Sequence, residues 1–282
     1  MSKKRKNKNV FVLKKSGDYA EFSDIKVRES LRRAGADSKT IDEIVKLLET
    51  ELYEGISTKE IYNRAFQLLK KKNSYQASRY KLKKAIYELG PSGFPFEKFI
   101  AAVLKNSGYE VEVGSILLGK CVSHEVDIVA SQNGKTLLME CKFHGTEGKK
   151  SDVKVPLYID SRFRDIKNLH SSFTFEEGWV VTNTVFTEDA VAYAKCAGLH
   201  LLSWDLPKGD SLKDRIDHAG LYPITVSTLL STREKQFLLS RDVVLCKELI
   251  HDKFFLDHLG ISENRQKRIL KEMGVLCEGI FT

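Results

Sequence analysis

The stretch EVDIVASQNGKTLLMECK, Glu125 to Lys142, decides how this chain is to be read. Two strand-like runs, Val126 to Ala130 and Thr136 to Phe143, flank Gln132-Asn133-Gly134-Lys135. Asn-Gly between two such runs is the strongest short-range signal of a β-hairpin. Side chains alternate along a strand, so Glu140 and Lys142 share one face while Met139 and Cys141 take the other. With Asn133 and Gly134 as the turn, Asp127 falls opposite Glu140, their Cβ atoms roughly 5 Å apart. Facing carboxylates repel unless a cation or a proton lies between them, and both acids sit in apolar strands, where Asp and Glu are disfavoured. A divalent ion held by Asp127 and Glu140, with the Cys141 backbone carbonyl as a further ligand and Lys142 alongside, resolves the conflict. Mg²⁺ (or Mn²⁺) accepts such oxygen ligands, neutralises phosphoryl charge and acidifies a bound water. The lysine then positions that water and stabilises the charge that develops on phosphorus oxygens. As a bare pattern, Asp-x12-Glu-x-Lys is weak in a chain with 38 acidic residues, and a solvated strand face is the competing reading.

Outward from the hairpin, the pattern alternates helix and strand. Phe94 to Ser107 carries a helical apolar stripe (Phe96, Phe99, Ile100, Val103, Leu104), and Tyr109 to Val113 alternates as a strand does. Trp179 to Thr182 reads as a buried strand, Thr187 to Ala197 as a helix and Leu199 to Ser203 as a last strand. Strands with covering helices imply an α/β sandwich. Gly90-Pro91-Ser92-Gly93 marks the best boundary before it. Ahead of that boundary, Asn9 to Leu13 and Tyr19 to Phe22 read as a short hairpin. Helices follow from Ser23 or Asp24 to Ala34, from about Ser38, from the capping box at Ser57-Thr58-Lys59-Glu60, and from Ser74 to Glu88. From Lys208 onward the pattern is helical (Glu234 to Ser240, Asp242 to His251, Glu263 to Met273).

Composition bounds the function classes. The chain has 282 residues, 42% apolar and 30% charged, the balance of folded domains rather than of disorder. Its 46 basic and 38 acidic residues give a net +8, which favours an anionic partner. Residues 1–89 hold 22 basic and 12 acidic side chains and residues 90–282 hold 24 and 26, so the excess belongs to the N-terminal part. Five cysteines without a Cys-x-x-Cys pair argue against a zinc ribbon or a disulfide framework. No apolar run reaches membrane-spanning or signal-peptide length, so a cytoplasmic protein without a membrane partner is expected. His124 and His144 flank the motif strands and are read as hydrogen-bonding surface residues. Tyr158, Arg162 and Arg164 lie in a segment (Pro156 to Lys167) that is either a contact to DNA backbone or an ordinary amphipathic helix.

Residues 93 to 206 resemble the Mrr-like branch of the PD-(D/E)xK nucleases. The matching text is Gly93-Phe94-Pro95-Phe96-Glu97-Lys98-Phe99, Val126-Asp127-Ile128-Val129-Ala130, Met139-Glu140-Cys141-Lys142 and Thr182-Asn183-Thr184-Val185-Phe186-Thr187-Glu188-Asp189-Ala190. The resemblance implies that Asp127 and Glu140 are metal ligands, that Lys142 is the catalytic lysine, and that Glu97 completes the acidic site. Glu125-Val126 stands where relatives carry Gly-Ile, which leaves Glu125 between solvent and metal. Residues 10 to 89 resemble the ATP-cone, through Val12-Leu13-Lys14-Lys15-Ser16-Gly17, Glu21-Phe22-Ser23-Asp24-Ile25-Lys26, Ile56-Ser57-Thr58-Lys59-Glu60-Ile61 and Ser78-Arg79-Tyr80. This implies a site for ATP or dATP lined by Val12, Lys14, Lys15 and Lys26, whose cations suit a triphosphate. The family usually has Lys-Arg where Lys14-Lys15 stand. No Gly-x4-Gly-Lys-[Ser/Thr] loop occurs, so nucleotide binding is expected without a Walker-type engine.

The expected fold is a multidomain α/β chain: a basic tail (1–9), an α+β ATP-cone of a short hairpin plus four helices (10–89), a restriction-endonuclease-like α/β/α sandwich (90–207) and a helical module without a named relative (208–282). The expected function is a divalent-metal-dependent endonuclease acting on double-stranded DNA in restriction or defence. It is expected to be regulated by a nucleoside triphosphate and assembled as a homo-oligomer, dimer or higher. The alternatives are a nucleotide-responsive DNA-binding regulator with a non-cleaving nuclease fold, and a Holliday-junction-type resolvase.

Overall fold

The computed structural model describes residues 10–14, 17–169 and 175–278. The basic tail and the second lysine of the Lys14-Lys15 pair therefore lie outside the described residues. The chain divides into two compact units, Met1–Leu82 and Lys83–Thr282.

In the first unit, β1 (Phe11–Leu13) and β2 (Tyr19–Glu21) pair antiparallel, Val12 opposite Ala20. Helices α1 (Asp24–Arg33), α2 (Ser38–Glu51), α3 (Thr58–Lys72) and α4 (Ser74–Tyr80) follow. The Ser57 capping box forms as the sequence predicts: Ser57 Oγ accepts from Glu60 N at 3.1 Å, and Glu60 Oε2 accepts from Ser57 N at 3.0 Å. Leu31, Ile41, Ile44, Leu48, Ile61, Ala65 and Leu69 recur at helical spacing and make one core, which Val12 joins from the hairpin. The predicted Ser74 to Glu88 helix is broken: α4 ends at Tyr80, and α5 spans Leu82–Tyr87. At the break Lys81 N donates to both Ala77 O and Ser78 O, a tightened last turn.

The second unit is built on a five-stranded mixed sheet. α6 (Phe94–Asn106) starts with Pro95 in its first turn, where the missing N–H costs nothing. β3 (Glu110–Leu118), β4 (Ser123–Gln132) and β5 (Lys135–Lys142) form an antiparallel meander, and β3 runs five residues beyond its predicted end. After the two-residue β6 (Lys150–Ser151) come α7 (Lys154–Leu169), β7 (Glu177–Thr182), β8 (Val185–Phe186), α8 (Glu188–Ala197) and β9 (Leu199–Leu202). The strand order is β3-β4-β5-β7-β9, with β5, β7 and β9 parallel, and β6 pairs β8 in a separate two-stranded ladder. α6 packs on β3 and β4, while α7 and α8 pack on each other and on β7 and β9. Under α7 lies a core of Val126, Leu138, Ile159, Phe163, Ile166 and Val180. Gly178 is required there, because a Cβ would lie 2.6 Å from the Phe163 ring.

The C-terminal region carries α9 (Leu212–Ala219), a single 3₁₀ turn at Ile224–Val226, α10 (Thr232–Leu239), α11 (Cys246–His251), α12 (Phe254–His258) and α13 (Glu263–Cys277). The predicted helix from Asp242 is shorter, since Val244 and Leu245 donate to Glu248 Oε2 as the cap of α11 rather than entering it. Two hydrogen bonds tie this region to α5 and the residue after it: Thr225 Oγ1 donates to Ala85 O at 2.7 Å, and Lys235 reaches Glu88 at 3.5 Å. Among the described residues, no helix is long and apolar enough to cross a membrane.

Candidate active site

The hairpin that carries the acids has one regular end and one interrupted end. At the regular end Asn133 (φ 53°) and Gly134 (φ 75°) both adopt left-handed φ, the type I′ turn that matches strand twist. From Gln132↔Lys135 the ladder runs in the predicted register to Ile128↔Met139. There it stops, and the expected direct pairing of Asp127 with Glu140 does not form. On the other edge of β4, pairing also skips Asp127. Val113 pairs with Ile128 and Ser115 with Val126, while Gly114 between them turns to φ 72°. The physical reason is visible in the side chain: Asp127 Oδ2 accepts the Cys141 N–H at 2.7 Å. A carboxylate thus takes a main-chain donor of the opposite strand at the point where the β4–β5 ladder ends.

Glu140 remains on the α7 face of β5, as alternation predicts. Arg162 of α7 donates through Nη1 to Glu140 Oε2 at 2.8 Å, through Nη2 to the Glu125 carbonyl, and lies over the Tyr158 ring. Arg162 is therefore turned inward to the site, 12% exposed, rather than outward as a DNA contact. Arg164 pairs with Asp160 of its own helix at 2.8 Å. Glu125 is exposed and meets Arg162 through its main chain. Lys142 is exposed at the strand end.

Electrostatically the acids are crowded. Burial, then the charge of Asp127, pushes Glu140 up to about 7. Burial, then Asp127 and Glu125, pushes Glu97 up to about 7 from its place in the first turn of α6. Burial raises Asp127 as well, against the Cys141 N–H, which holds it down. The Cys141 thiol is buried and pushed well up, first by burial and then by these same carboxylates, so it stays protonated. Carboxylates that favour their protonated forms together are a site short of positive charge.

Among the described residues, no three His, Cys, Asp or Glu side chains are arranged to hold a metal ion by themselves. The residues present nevertheless fit a hard cation. Mg²⁺ takes one or two carboxylates and completes its shell with water and phosphate oxygens, and the raised Asp127 and Glu140 are carboxylates that gain from a nearby cation.

The segment Thr182 to Thr184 serves as a clamp on the strand that ends in Lys142. Asn183 Oδ1 accepts from His144 N at 2.8 Å, and its Nδ2 donates to His144 O at 3.0 Å. Thr182 Oγ1 donates to Lys142 O at 2.8 Å, and Ser151 links Thr182 to the His144 ring. Thr182, Asn183, Thr184 and Ser151 are buried, so this polar network is fully committed to fixing the chain around Lys142. His124 is held at 2.8 Å by Asp165 of α7.

Of the residues expected to line a nucleotide site, Val12 is a core residue of the first unit, while Lys14 and Lys26 are exposed. The Lys14 main chain closes the β1–β2 turn through Asp18 O and Gly17 N. Lys15 lies outside the described residues.

Sequence reading missed Arg162 as a site residue. Its signal was present in the i, i+4 spacing with Tyr158, which puts both on one face of α7, but nothing in sequence says that this face turns toward Glu140.

A mixed sheet between helices, with an Asp and a Glu-x-Lys gathered at the open end of one hairpin, defines a restriction-endonuclease-like domain. Family models match as ATP cone domain (residues 10–86), Restriction endonuclease (90–206) and AF1548-like, C-terminal (222–277). An uncharacterized protein of Archaeoglobus fulgidus is 30% identical over 174 residues, 61% of this chain and 97% of that protein. The crystal structure of AF1548, a protein of unknown function, is similar with a TM-score of 0.55 and 28% identity, covering 66% of this chain and 98% of that one. The MspJI restriction endonuclease in complex with a 27-mer oligonucleotide is more distant: TM-score 0.34, 14% identity, 60% of this chain and 36% of that one. The chain belongs to the family of the A. fulgidus protein. It is an ATP-cone fused to an Mrr-like restriction endonuclease domain of the PD-(D/E)xK superfamily.

Proposed function

We propose that the protein is a divalent-metal-dependent endonuclease of double-stranded DNA, working in restriction or defence, whose activity is regulated by ATP or dATP at the N-terminal unit. The observation that carries this reading is the crowding of Glu97, Asp127 and Glu140 beside an exposed Lys142. Asp127, Glu140 and the Cys141 carbonyl would hold Mg²⁺ or Mn²⁺, which supplies charge neutralisation on the phosphate and a more acidic water when bound. Glu97 adds negative charge from α6 that favours cation binding. Lys142, held by the Thr182–Asn183 clamp, donates to the attacking water or to the phosphate oxygens and stabilises the charge that accumulates there. Arg162 keeps Glu140 oriented. In the N-terminal unit, Lys14, Lys15 and Lys26 bind the triphosphate, with Val12 contributing backbone. Cutting both strands of a duplex calls for two such sites, which suits a homo-oligomer.

Supercoiled plasmid incubated with Mg²⁺, with and without ATP or dATP, tests the reading against an Asp127→Ala chain. Nicking or linearisation by the wild type, lost in the variant and altered by nucleotide, is the expected result. Absence of cleavage by the wild type in every condition contradicts the nuclease reading, and equal cleavage by the variant contradicts the site.

A further inference from the structure

α13 has two faces of opposite character. Gln266, Ile269, Glu272, Met273 and Leu276 are buried, whereas Asn264, Lys267, Arg268 and Lys271 are exposed. The exposed four fall at i, i+3, i+4 and i+7, one continuous stripe on a helix. Apart from Glu263 and Glu278, exposed at the two ends of α13, most acids of the region are engaged internally. Glu234 pairs with Arg265 at 2.5 Å, and Glu272 accepts from Ser227 Oγ and from both N and Oγ1 of Thr228. Glu248 caps α11, and Asp257 accepts from Gln266 Nε2 at 2.7 Å. Lys267, Arg268 and Lys271 have no hydrogen bond or ion pair among the described residues. A region nearly balanced in formal charge therefore presents a stripe of three cations that form no ion pair among the described residues.

The approach to this helix is equally specific. α12 ends with Gly260 at φ 66°, Gly260 N bonding Asp257 O at 2.9 Å and Ile261 N bonding Leu256 O at 3.2 Å. This is a Schellman turn, and the two residues at the positions of its companion apolar pair, Leu256 and Ile261, are both buried. Gln266 then brackets the turn by donating to Asp257 Oδ1 and Ile261 O. A short helix, a tight glycine turn and a 15-residue helix follow one another, with the stripe on the solvent side of the second helix. Fifteen residues span about 22 Å, and the B-DNA major groove, roughly 12 Å wide, admits such a helix.

We infer that α13 is a second nucleic-acid surface, which lays Asn264, Lys267, Arg268 and Lys271 against double-stranded DNA. The lysines and arginine neutralise phosphates or reach guanine acceptors, and Asn264, nearest the helix start, is placed to read a base edge. A lipid surface fits less well. A membrane-lying helix needs a large exposed apolar face, and within α13 the exposed large apolar residue is Val275, 38% exposed. Glu263, exposed in the first turn, sets a like charge against phosphate there and limits contacts at that end. The inference goes beyond the nuclease reading, because binding through α13 requires neither metal nor cleavage.

The test is fluorescence anisotropy of the full-length chain with a labelled duplex in EDTA, at increasing salt. The triple variant Lys267→Gln/Arg268→Gln/Lys271→Gln is expected to bind about tenfold or more weakly, with the slope of log K against log salt reduced by about two to three. Glu263→Gln is expected to bind more tightly than wild type. Should the triple variant melt early, Lys267→Gln and Lys271→Gln alone, both at exposed sites, should each reduce the slope by about 0.9. Unchanged affinity and slope in the folded variants overturns the inference, as does unchanged duplex binding with lost binding to phosphatidylserine vesicles. An inactive wild-type nuclease leaves this result intact, and a cleaving Asp127→Ala chain does not bear on it.

Discussion

Two groups of carboxylates in the second unit behave in opposite ways. Asp165 of α7 sits under the β3–β4 turn, where it accepts from His124 and from the main-chain N–H groups of Cys121 and Val122, and these bonds hold it down at about 2. Glu97 and Glu140, at the open end of the β4–β5 hairpin, are pushed up to about 7 by burial and by neighbouring negative charge. Asp165 has all its donors and does structural work. The site acids are short of positive charge: among the described residues Arg162 pairs with Glu140 and Lys142 adds a second cation, and burial still outweighs both. The sheet is also continuous where the acids are absent and interrupted where Asp127 stands. Satisfied charge therefore marks the scaffold, and unsatisfied charge marks the site.

The largest effect that sharpens this contrast is on cleavage. Asp127→Ala and Lys142→Ala should each lower the Mg²⁺-dependent rate by about a hundredfold or more, measured as initial nicking rate. Melting temperature should not fall in Lys142→Ala, an exposed position. Arg162→Ala should shift the Mg²⁺ concentration for half-maximal rate by roughly tenfold to a hundredfold, the usual cost of losing a group that orients a ligand. Arg162→Lys restores charge without the paired Nη contacts, so partial rescue is expected.

Much of this contrast was legible in the sequence. Asn133-Gly134 fixed both the turn and the register, and alternation then assigned Glu140, Cys141 and Lys142 to their faces. The break at Asp127 was not legible, since it depends on a side chain capturing the Cys141 N–H across the hairpin. Arg162 escaped for a related reason: its partner Glu140 is 22 positions away and meets it only when α7 docks on the sheet. The Thr182-Asn183-Thr184 text was recognisable as a family pattern, but its work as a clamp on His144 and Lys142 is a tertiary fact. In the C-terminal region short helices and caps defeated periodicity, as with Val244 and Leu245 capping α11.

Stability against pH separates the two groups further. Glu97 and Glu140 have raised folded-state values, so the stability they contribute is present below the ordinary carboxylate range and is lost as pH rises through about 7. The metal-free chain should melt lower at pH 8 than at pH 6, and Glu140→Gln or added Mg²⁺ should reduce the difference in calorimetry. Asp165 has a depressed value, so its contribution is present above its ordinary 3.8 and is lost as pH falls toward about 2. Asp165→Asn should flatten that acid limb and leave the pH 6 to 8 difference unchanged. The smallest effect lies in the first unit, where Ser57→Ala removes the α3 cap and should cost about 1 kcal/mol in denaturant unfolding, with no change in metal-dependent behaviour.

The central claim, that the crowded hairpin acids form a cation site, is tested most directly by titrating Mg²⁺ or Mn²⁺ into the full-length chain at pH 7 in buffers of different ionisation heat. One binding event that releases protons, because the cation displaces those retained near pH 7 by Glu97 and Glu140, and that disappears in Asp127→Ala, is the predicted result. Binding without proton release, or binding that survives intact in Asp127→Ala, would contradict it.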